Sequence, residues 1–295
     1  MVEYIGLDIG GTNIKIGAID TNENLIFSYK EPTFDNVSIA DDLYKKIVNL
    51  IKRVPDYKKA KAMGIGLPGS IDLNTNKIIT LRNVSLLKDY PLMNKLSSEF
   101  KMPIYFENDG RIAALAEALK GRGKDKKIVC YVTISTGLGG GIVIDKQIYN
   151  GAYNLGGYFS RIILDGENTS DYLISGTKLC EQVKNKIGKE IKNVFEIFEM
   201  EKLGNEDAIE IINQFKKNLT VLLLNISSTF NPDIIILGGG VINAKKRFIN
   251  EVIEKFKLKA HPLAKNTIIE TKMFDEPGIV GAGLFAKQNF EKFNL

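Results

Sequence analysis

"YIGLDIGGTNIKIGAID", residues 4–20, is the stretch on which the reading of the whole chain turns. Two apolar runs rich in isoleucine are interrupted by one acid, two glycines and a threonine. Asp8 stands where a buried strand would carry another hydrophobe. Gly10 and Gly11 remove side chains where the backbone turns, so a ligand can approach the main chain closely. Two readings are open at this point. One is a β-hairpin that needs glycine for its turn. The other is a cradle of backbone N–H groups for phosphate, with an acid beside it.

The pattern comes back once. "IVCYVTISTGLGGGIVIDKQIYNG", residues 128–151, again reads strand, glycine turn, strand, polar turn, strand, as residues 4–30 do. Between the copies, "NVSIADDLYKKIVNLIKRV" (36–54) spaces Ile39, Leu43, Ile47, Leu50, Ile51 and Val54 as one face of a helix. "AKAMGIGLPGS" (60–70) and "MPIYFENDG" (102–110) read as strands running into turns, and "RIAALAEALKG" as a helix ending at Gly121. After the second copy the spacing predicts a helix over 205–229, a strand in "PDIIILGGG" and a helix over 244–257. A strand over 266–274 and a last helix over 279–291 follow. A duplicated three-stranded unit with helices between predicts two similar α/β domains with a central cleft. The expected division is 1–120, joined by the last helix (283–295), and 121–282.

Composition narrows the chemistry. The 295 residues include 40 Lys+Arg and 35 Asp+Glu, a net charge of +5, with both signs interspersed along the chain. "KDKK" (124–127) and "AKKR" (244–247) read as solvated turns or helix faces, so no nucleic-acid partner is expected. No apolar run has membrane-spanning length, and the amino terminus lacks a basic segment followed by a greasy one. A cytoplasmic protein with no membrane partner is the expectation. Two cysteines (Cys130, Cys180) and one histidine (His261) cannot supply a four-ligand zinc site at workable spacing, and no disulfide is expected. A histidine-dependent triad is nearly excluded as well. A general base must be a carboxylate or a lysine.

Four glycine-rich turns remain to be sorted. "GIGLPG" (64–69) has the spacing of a dinucleotide fingerprint, but Pro68 lies inside it and no helix follows. A Walker A loop is absent. "DIGGT" (8–12), "STGLGGG" (135–141) and "LGGGV" (237–241) each follow a β-branched strand and leave amides uncovered. Two of the three occupy equivalent places in the duplicated unit, which points to ATP held between two lobes. The base is sought in "FENDGRIAALAEA" (106–118), where Asp109 follows a strand and opens a helix. Such a position suits an N-cap, and it also allows the carboxylate to accept the proton of a hydroxyl during phosphoryl transfer. Asp8 can hold Mg²⁺ through water.

With these residues in hand, the sequence resembles the ROK family of sugar kinases and repressors, from residue 4 to about 285. The resemblance rests on "LDIGGTNIKIG", "GIGLPGSID", "ENDGRIAALAEAL", "STGLGGGIVID", "GAYNLGG", "SGTKL" and "NPDIIILGGGV", in family order. It implies the actin-like, ribonuclease-H-like ATPase fold. It implies further that Asp109 activates the sugar 6-hydroxyl, and that Asn83, Asn108 and the backbone at Gly69 hold the sugar. Asp8, Gly10, Gly11, Thr12 and Lys15 match one phosphate loop. Ser135, Thr136, Gly137 and Gly139 match the other, and Gly238 and Gly239 lie near the adenosine. Family repressors carry a helix-turn-helix domain ahead of the first glycine loop. That loop begins here at residue 8, so a kinase is expected, with ATP and Mg²⁺ as cofactors, a small sugar as substrate and a homodimer as its assembly.

The departures from the family pattern bear on substrate. After "GAYNLGG" most sugar kinases of the family read Glu-(Ile/Phe)-Gly-His, the glutamate for hydroxyls near C1 and C2 and the histidine for sugar and zinc. This chain reads Tyr158, Phe159, Ser160, Arg161, and "LDGENTSDYLISG" replaces the Cys-rich zinc loop. No zinc is expected. Tyr158 is either a sugar contact or a core aromatic covering the lost lobe, and Arg161 a surface residue. The lost glutamate, and "STG" where glucokinase-like members read "GTG", resemble the N-acetylmannosamine kinase branch and imply a role in sialic acid breakdown. A glucokinase, a β-glucoside kinase, an N-acetylglucosamine kinase and a catalytically inactive sugar sensor are the alternatives.

Overall fold

Antiparallel pairing of the opening stretch builds the first sheet. In the computed structural model, which describes residues 1–72, 75, 77–81, 83–244, 247–272 and 276–294, β1 (Tyr4–Ile9) pairs with β2 (Asn13–Ile19) so that Asp8 lies opposite Lys15. β2 continues antiparallel into β3 (Leu25–Pro32). Helix α1 (Ala40–Arg53) buries Leu43, Ile47, Leu50 and Ile51, four of the six positions whose spacing predicts it. Asp42 accepts the N–H groups of Ser38 and Ile39 and closes its amino end. β4 (Ala62–Leu67) then joins β1 in parallel, and β5 (Gly69–Asp72) and β6 (Lys77–Leu81) form a separate hairpin. α2 (Leu92–Glu99) leads to β7 (Ile104–Asn108), parallel to β4, and α3 (Asp109–Leu119) follows without a break.

The second sheet repeats the first. β8 (Ile128–Ile134) and β9 (Leu138–Ile144) are antiparallel, and β10 is cut to Gln147–Ile148. Helices α4 (Ser170–Ile174), α5 (Gly176–Ile187), α6 (Val194–Lys202) and α7 (Glu206–Phe230) come next. β11 (Ile234–Gly238) is parallel to β8, α8 (Gly240–Ala244) and α9 (Arg247–Lys259) follow, and β12 (Ile268–Thr271) is parallel to β11. The strand orders β3-β2-β1-β4-β7 and β10-β9-β8-β11-β12 are the same topology written twice. α9 covers most of the helix expected over 244–257, and α8 ends at the first residue of that range. The turn read at "AKKR" and the end of the strand read over 266–274 fall partly on 245–246 and 273–274, outside the described residues.

The chain forms two compact units. The first takes Met1–Leu119, Ile148–Gly156 and Phe274–Leu295, and the second Lys120–Gln147 and Gly157–Met273. Residues 148–156 therefore join the first unit, although the sequence alone assigns them to the second half, and the carboxy-terminal segment crosses back at 274 rather than 283. Its helix α10 (Pro277–Asn294) lies on β1, β4 and α3 at backbone distance. A Cβ on Gly6 would stand 2.0 Å from the Ile279 carbonyl, and one on Gly64 2.0 Å from that of Ala282. A Cβ on Gly281 would likewise stand 2.1 Å from the Ile112 carbonyl of α3. Each unit has its own apolar core, and no helix among the described residues is long and apolar enough to cross a membrane.

Because a methyl group at Gly64 meets backbone rather than a movable side chain, Gly64→Ala is expected to lower the unfolding free energy by at least about 2 kcal/mol. Urea denaturation followed by circular dichroism measures it, and an unchanged midpoint would mean that α10 does not seat on β4.

Candidate active site

The strand-to-helix junction at 107–111 is the densest polar feature of the first unit. Asn108 ends β7, and its Oδ1 accepts the N–H groups of Gly110 at 3.0 Å and Arg111 at 3.2 Å. Asn108 is thus the cap of α3, and Asp109 is the first helical residue, not the cap. The Asp109 carboxylate accepts the Gly110 N–H at 2.8 Å, beside the positive end of the helix. The other side of the Asn108 amide donates to the Gly69 carbonyl at 2.9 Å. Gly69 is required there, since a Cβ would stand 1.9 Å from the Thr80 carbonyl. Asn108, Asp109 and Gly69, singled out separately in the sequence, are brought together.

Glu107 and Arg111 bury an ion pair under this junction, at 2.9 Å and almost without solvent exposure. Burial drives the Glu107 carboxyl up and the Arg111 guanidinium down, and each is pulled back by the other's charge. Sequence reading passed over Arg111. The available signal was a single arginine, four residues after a glutamate, on a helix whose other neighbours are alanine, isoleucine and leucine.

The first glycine turn lies in the same unit. The Gly10 N–H donates to the Asn13 carbonyl at 3.0 Å, and the buried Thr33 hydroxyl holds the Gly10 carbonyl at 2.6 Å. Gly10 therefore shapes the turn with its own amide engaged, while Gly11 and Thr12 carry the amides that remain. Gly11 is packed so tightly on Asn83 that a Cβ would come within 2.5 Å of it. Asn83 itself has φ of 61°, a left-handed conformation that asparagine tolerates. The first glycine turn and the Asn83 loop are one packed feature.

Asp8 is only partly exposed, opposite Lys15 on the neighbouring strand. Lys15 Nζ is bonded to Glu276 Oε2 at 2.8 Å, so a phosphate bound there would have to exchange that partner. The amino end of α10 closes over Asp8, where a Cβ on Gly278 would stand 2.3 Å from Oδ2. Burial pushes the Asp8 carboxyl up from 3.8 to about 6, with Lys15 opposing and Glu276 adding to the rise. A hard oxygen ligand held this way, with no hydrogen bond from any described residue, fits the water shell of Mg²⁺. Among the described residues no three His, Cys, Asp or Glu side chains gather into a metal cluster.

The second unit carries the other two glycine turns. The Ser135 N–H donates to the Gly137 carbonyl at 2.8 Å, and the Ser135 and Thr136 carbonyls accept from Gly176 and Thr177 at the amino end of α5. Asp171 accepts the Leu138 N–H at 2.7 Å. Gly139 packs on Thr133, and Gly238 on the Tyr131 hydroxyl. Gly239 has φ of 95°, and a Cβ on it would lie 2.1 Å from the Ile134 carbonyl, so no other residue fits that turn. These turns open onto a cavity of about 420 Å³ whose walls include Ser135, Thr136, Gly176, Thr177 and Gly240. Ile191, Val194, Phe195 and Val241 supply its apolar side, and Lys184 pairs with Glu190 at its rim at 2.6 Å. Neither the 189–195 segment nor Asp171 was singled out from sequence, because nothing local marks residues that a distant turn selects. Tyr158 is half-buried in this unit, just before the turn Phe159–Arg161, in which Phe159 and Ser160 are buried.

A family model described as "ROK family" matches residues 4–289. The chain belongs to the ROK family. Among its relatives, a glucokinase of Halalkalibacterium halodurans is 27% identical over 97% of this chain and 95% of its own. An N-acetyl-D-glucosamine kinase of Vibrio parahaemolyticus is 28% identical over 95% of this chain and 98% of its own. The solved structure of a candidate N-acetylmannosamine kinase from Listeria monocytogenes superposes with a TM-score of 0.84 at 24% identity, covering 99% of this chain and 100% of that one. The duplicated sheets are those of the family's actin-like ATPase fold.

Because the folded-state pKa of Asp8 is raised, its charge opposes folding above pH 6, and the penalty fades as pH falls from 6 toward 4. Asp8→Asn is therefore expected to raise Tm by a few degrees at pH 7.5, with the gain shrinking through that window and gone near pH 4. Differential scanning calorimetry across pH checks this, and a gain that is constant with pH would remove the burial of Asp8 as its cause.

Proposed function

We propose that this chain transfers the γ-phosphoryl group of ATP to the 6-hydroxyl of an N-acetylated amino sugar, N-acetylmannosamine, in sialic acid catabolism. Its class, an ATP-dependent carbohydrate kinase, comes with family membership and with full-length relatives that are sugar kinases. The observation that carries the mechanism is the division of labour at the head of α3. Asn108 caps the helix and donates to the Gly69 carbonyl, and Asp109, its carboxylate on the Gly110 N–H, stands next to it at the helix start.

Asp109 takes the hydroxyl proton as the sugar oxygen attacks the γ-phosphorus, the bond to the β-phosphate oxygen breaks, and ADP leaves. Asn108, Asn83 and the Gly69 backbone orient the sugar. Asn108 brings a pre-set direction to that task, since its amide is locked between Gly69 and the helix start. Gly11 and Thr12 on one loop and Ser135, Thr136, Gly137 and Gly139 on the other meet the phosphates. Lys15 joins the first loop, and Gly238 and Gly239 bound the adenosine side. Bound Mg²⁺, held by Asp8 through water, would offset charge on the phosphate oxygens.

Tyr158 to Arg161, where most family sugar kinases read Glu-x-Gly-His, support the choice of sugar. A tyrosine donates and stacks but does not replace an acceptor-only carboxylate for the C1 and C2 hydroxyls of glucose. The relative named for N-acetyl-D-glucosamine supports the acetamido class. The Listeria protein named for N-acetylmannosamine supports the epimer.

An ADP-release assay with ATP and Mg²⁺ over N-acetylmannosamine, N-acetylglucosamine, mannose, glucose and a β-glucoside tests the reading. The highest kcat/KM is expected on N-acetylmannosamine, with kcat reduced about 10²–10⁴-fold by Asp109→Asn. Preference for glucose or N-acetylglucosamine would keep the mechanism and overturn the sugar. Sugar binding without turnover would make the chain a sensor.

A further inference from the structure

We propose that Arg111 is a positioning residue for the sugar side of the site, acting through Asn154, and that together they hold segment 149–154 against the strand that carries Gly69. The inference rests on the kinase reading above and extends it to residues that no resemblance assigns.

The hydrogen bonds close a ring within the first unit. Glu107 Oε1 accepts from the Asn108 N–H at 2.6 Å and from Arg111 Nη1 at 2.9 Å. Asn108 Nδ2 donates to the Gly69 carbonyl at 2.9 Å, and two residues along β5 the Ile71 carbonyl accepts Asn154 Nδ2 at 3.2 Å. Asn154 Oδ1 accepts from Arg111 Nη1, which returns to the start. Asn108 and Gly69, two residues assigned to the sugar, are members of this ring, and Asp109 is flanked by two more.

Arg111 does more than pair with Glu107. Its Nη2 donates to the Tyr149 carbonyl at 3.0 Å and to Asn150 Oδ1 at 2.7 Å, and Nη1 also reaches the Asn154 carbonyl at 3.3 Å. One buried guanidinium thus satisfies four acceptors from a stretch of six residues that has almost no regular structure of its own. A buried ion pair returns little net stability against an apolar replacement, and its neighbours on α3 are apolar. What the arginine supplies that leucine could not is a fixed conformation for 149–154. That segment needs fixing: Gly151 and Asn154 have φ of 66° and 57°, and Tyr153 is 85% exposed.

Asn154→Gly opens the ring at one point, keeps the left-handed backbone and leaves the Glu107–Arg111 pair intact. The expected result is a rise in KM for the sugar of about tenfold, the loss of a hydrogen-bonded clamp. KM for ATP and kcat should stay within about twofold, as expected for an effect confined to uniform sugar binding. Hydrogen exchange at amides 149–156 should speed up with that of α7 unchanged. Asn154→Asp keeps an acceptor for Arg111 but loses the donor to the Ile71 carbonyl, so its sugar KM should rise as in Asn154→Gly. An unchanged sugar KM in Asn154→Gly would overturn the inference while leaving the kinase reading in place. So would equal effects on both substrates with a lower Tm, or an unchanged sugar KM in Asn154→Asp. A wild-type protein that turns over no sugar would overturn both.

Discussion

Helix α10 rests on glycine. Gly6 and Gly64, on adjacent strands, leave room for the backbone of α10 to touch the sheet, and Gly281 lets the same helix touch α3. Close approach of this kind removes the tolerance that side chains usually give, since backbone atoms cannot rotate out of the way. The helix therefore has one axial position, and its amino end has one place to be. That place is over Asp8, with Gly278 against the carboxylate and Glu276 on Lys15. The raised proton affinity of Asp8 is a consequence of how the last helix seats.

The same economy runs through the junction at 107–111. Asn108 serves as helix cap, as donor to Gly69 and as neighbour of Asp109, and the backbone N–H of Asn108 is itself held by Glu107. An asparagine side chain held on both its oxygen and its nitrogen cannot drift. In the second unit the corresponding role falls to backbone. Ser135, Gly137 and Gly239 shape turns whose neighbours are carbonyls, and α5 presents its amino end to the same cavity.

Much of this was legible in the residues. The duplicated strand–turn–strand signal, helix spacing over 39–54 and the β-branched runs marked most strands and helices of both units, because period and turn chemistry are local properties. Asp109 stood out because it joins a strand to a helix, yet its capping duty passed to Asn108, a one-residue difference that only hydrogen-bond geometry resolves. Gly6 and Gly64 sat inside strands where glycine is costly, and that was a readable sign of close backbone approach. What approached them was not readable.

The sequence by itself determined the duplicated α/β architecture, the three glycine turns and the acids near them, since each is written in a short window of residues. Tertiary structure decided which distant windows meet. It put residues 148–156 and 274–282 with the first unit, gave Arg111 its acceptors on 149–154 and chose Glu276 as the partner of Lys15. It also closed a cavity with the 189–195 segment, which carries no motif. Such pairings depend on the summed packing of both cores and on the burial of charge. Neither is a property of any one window.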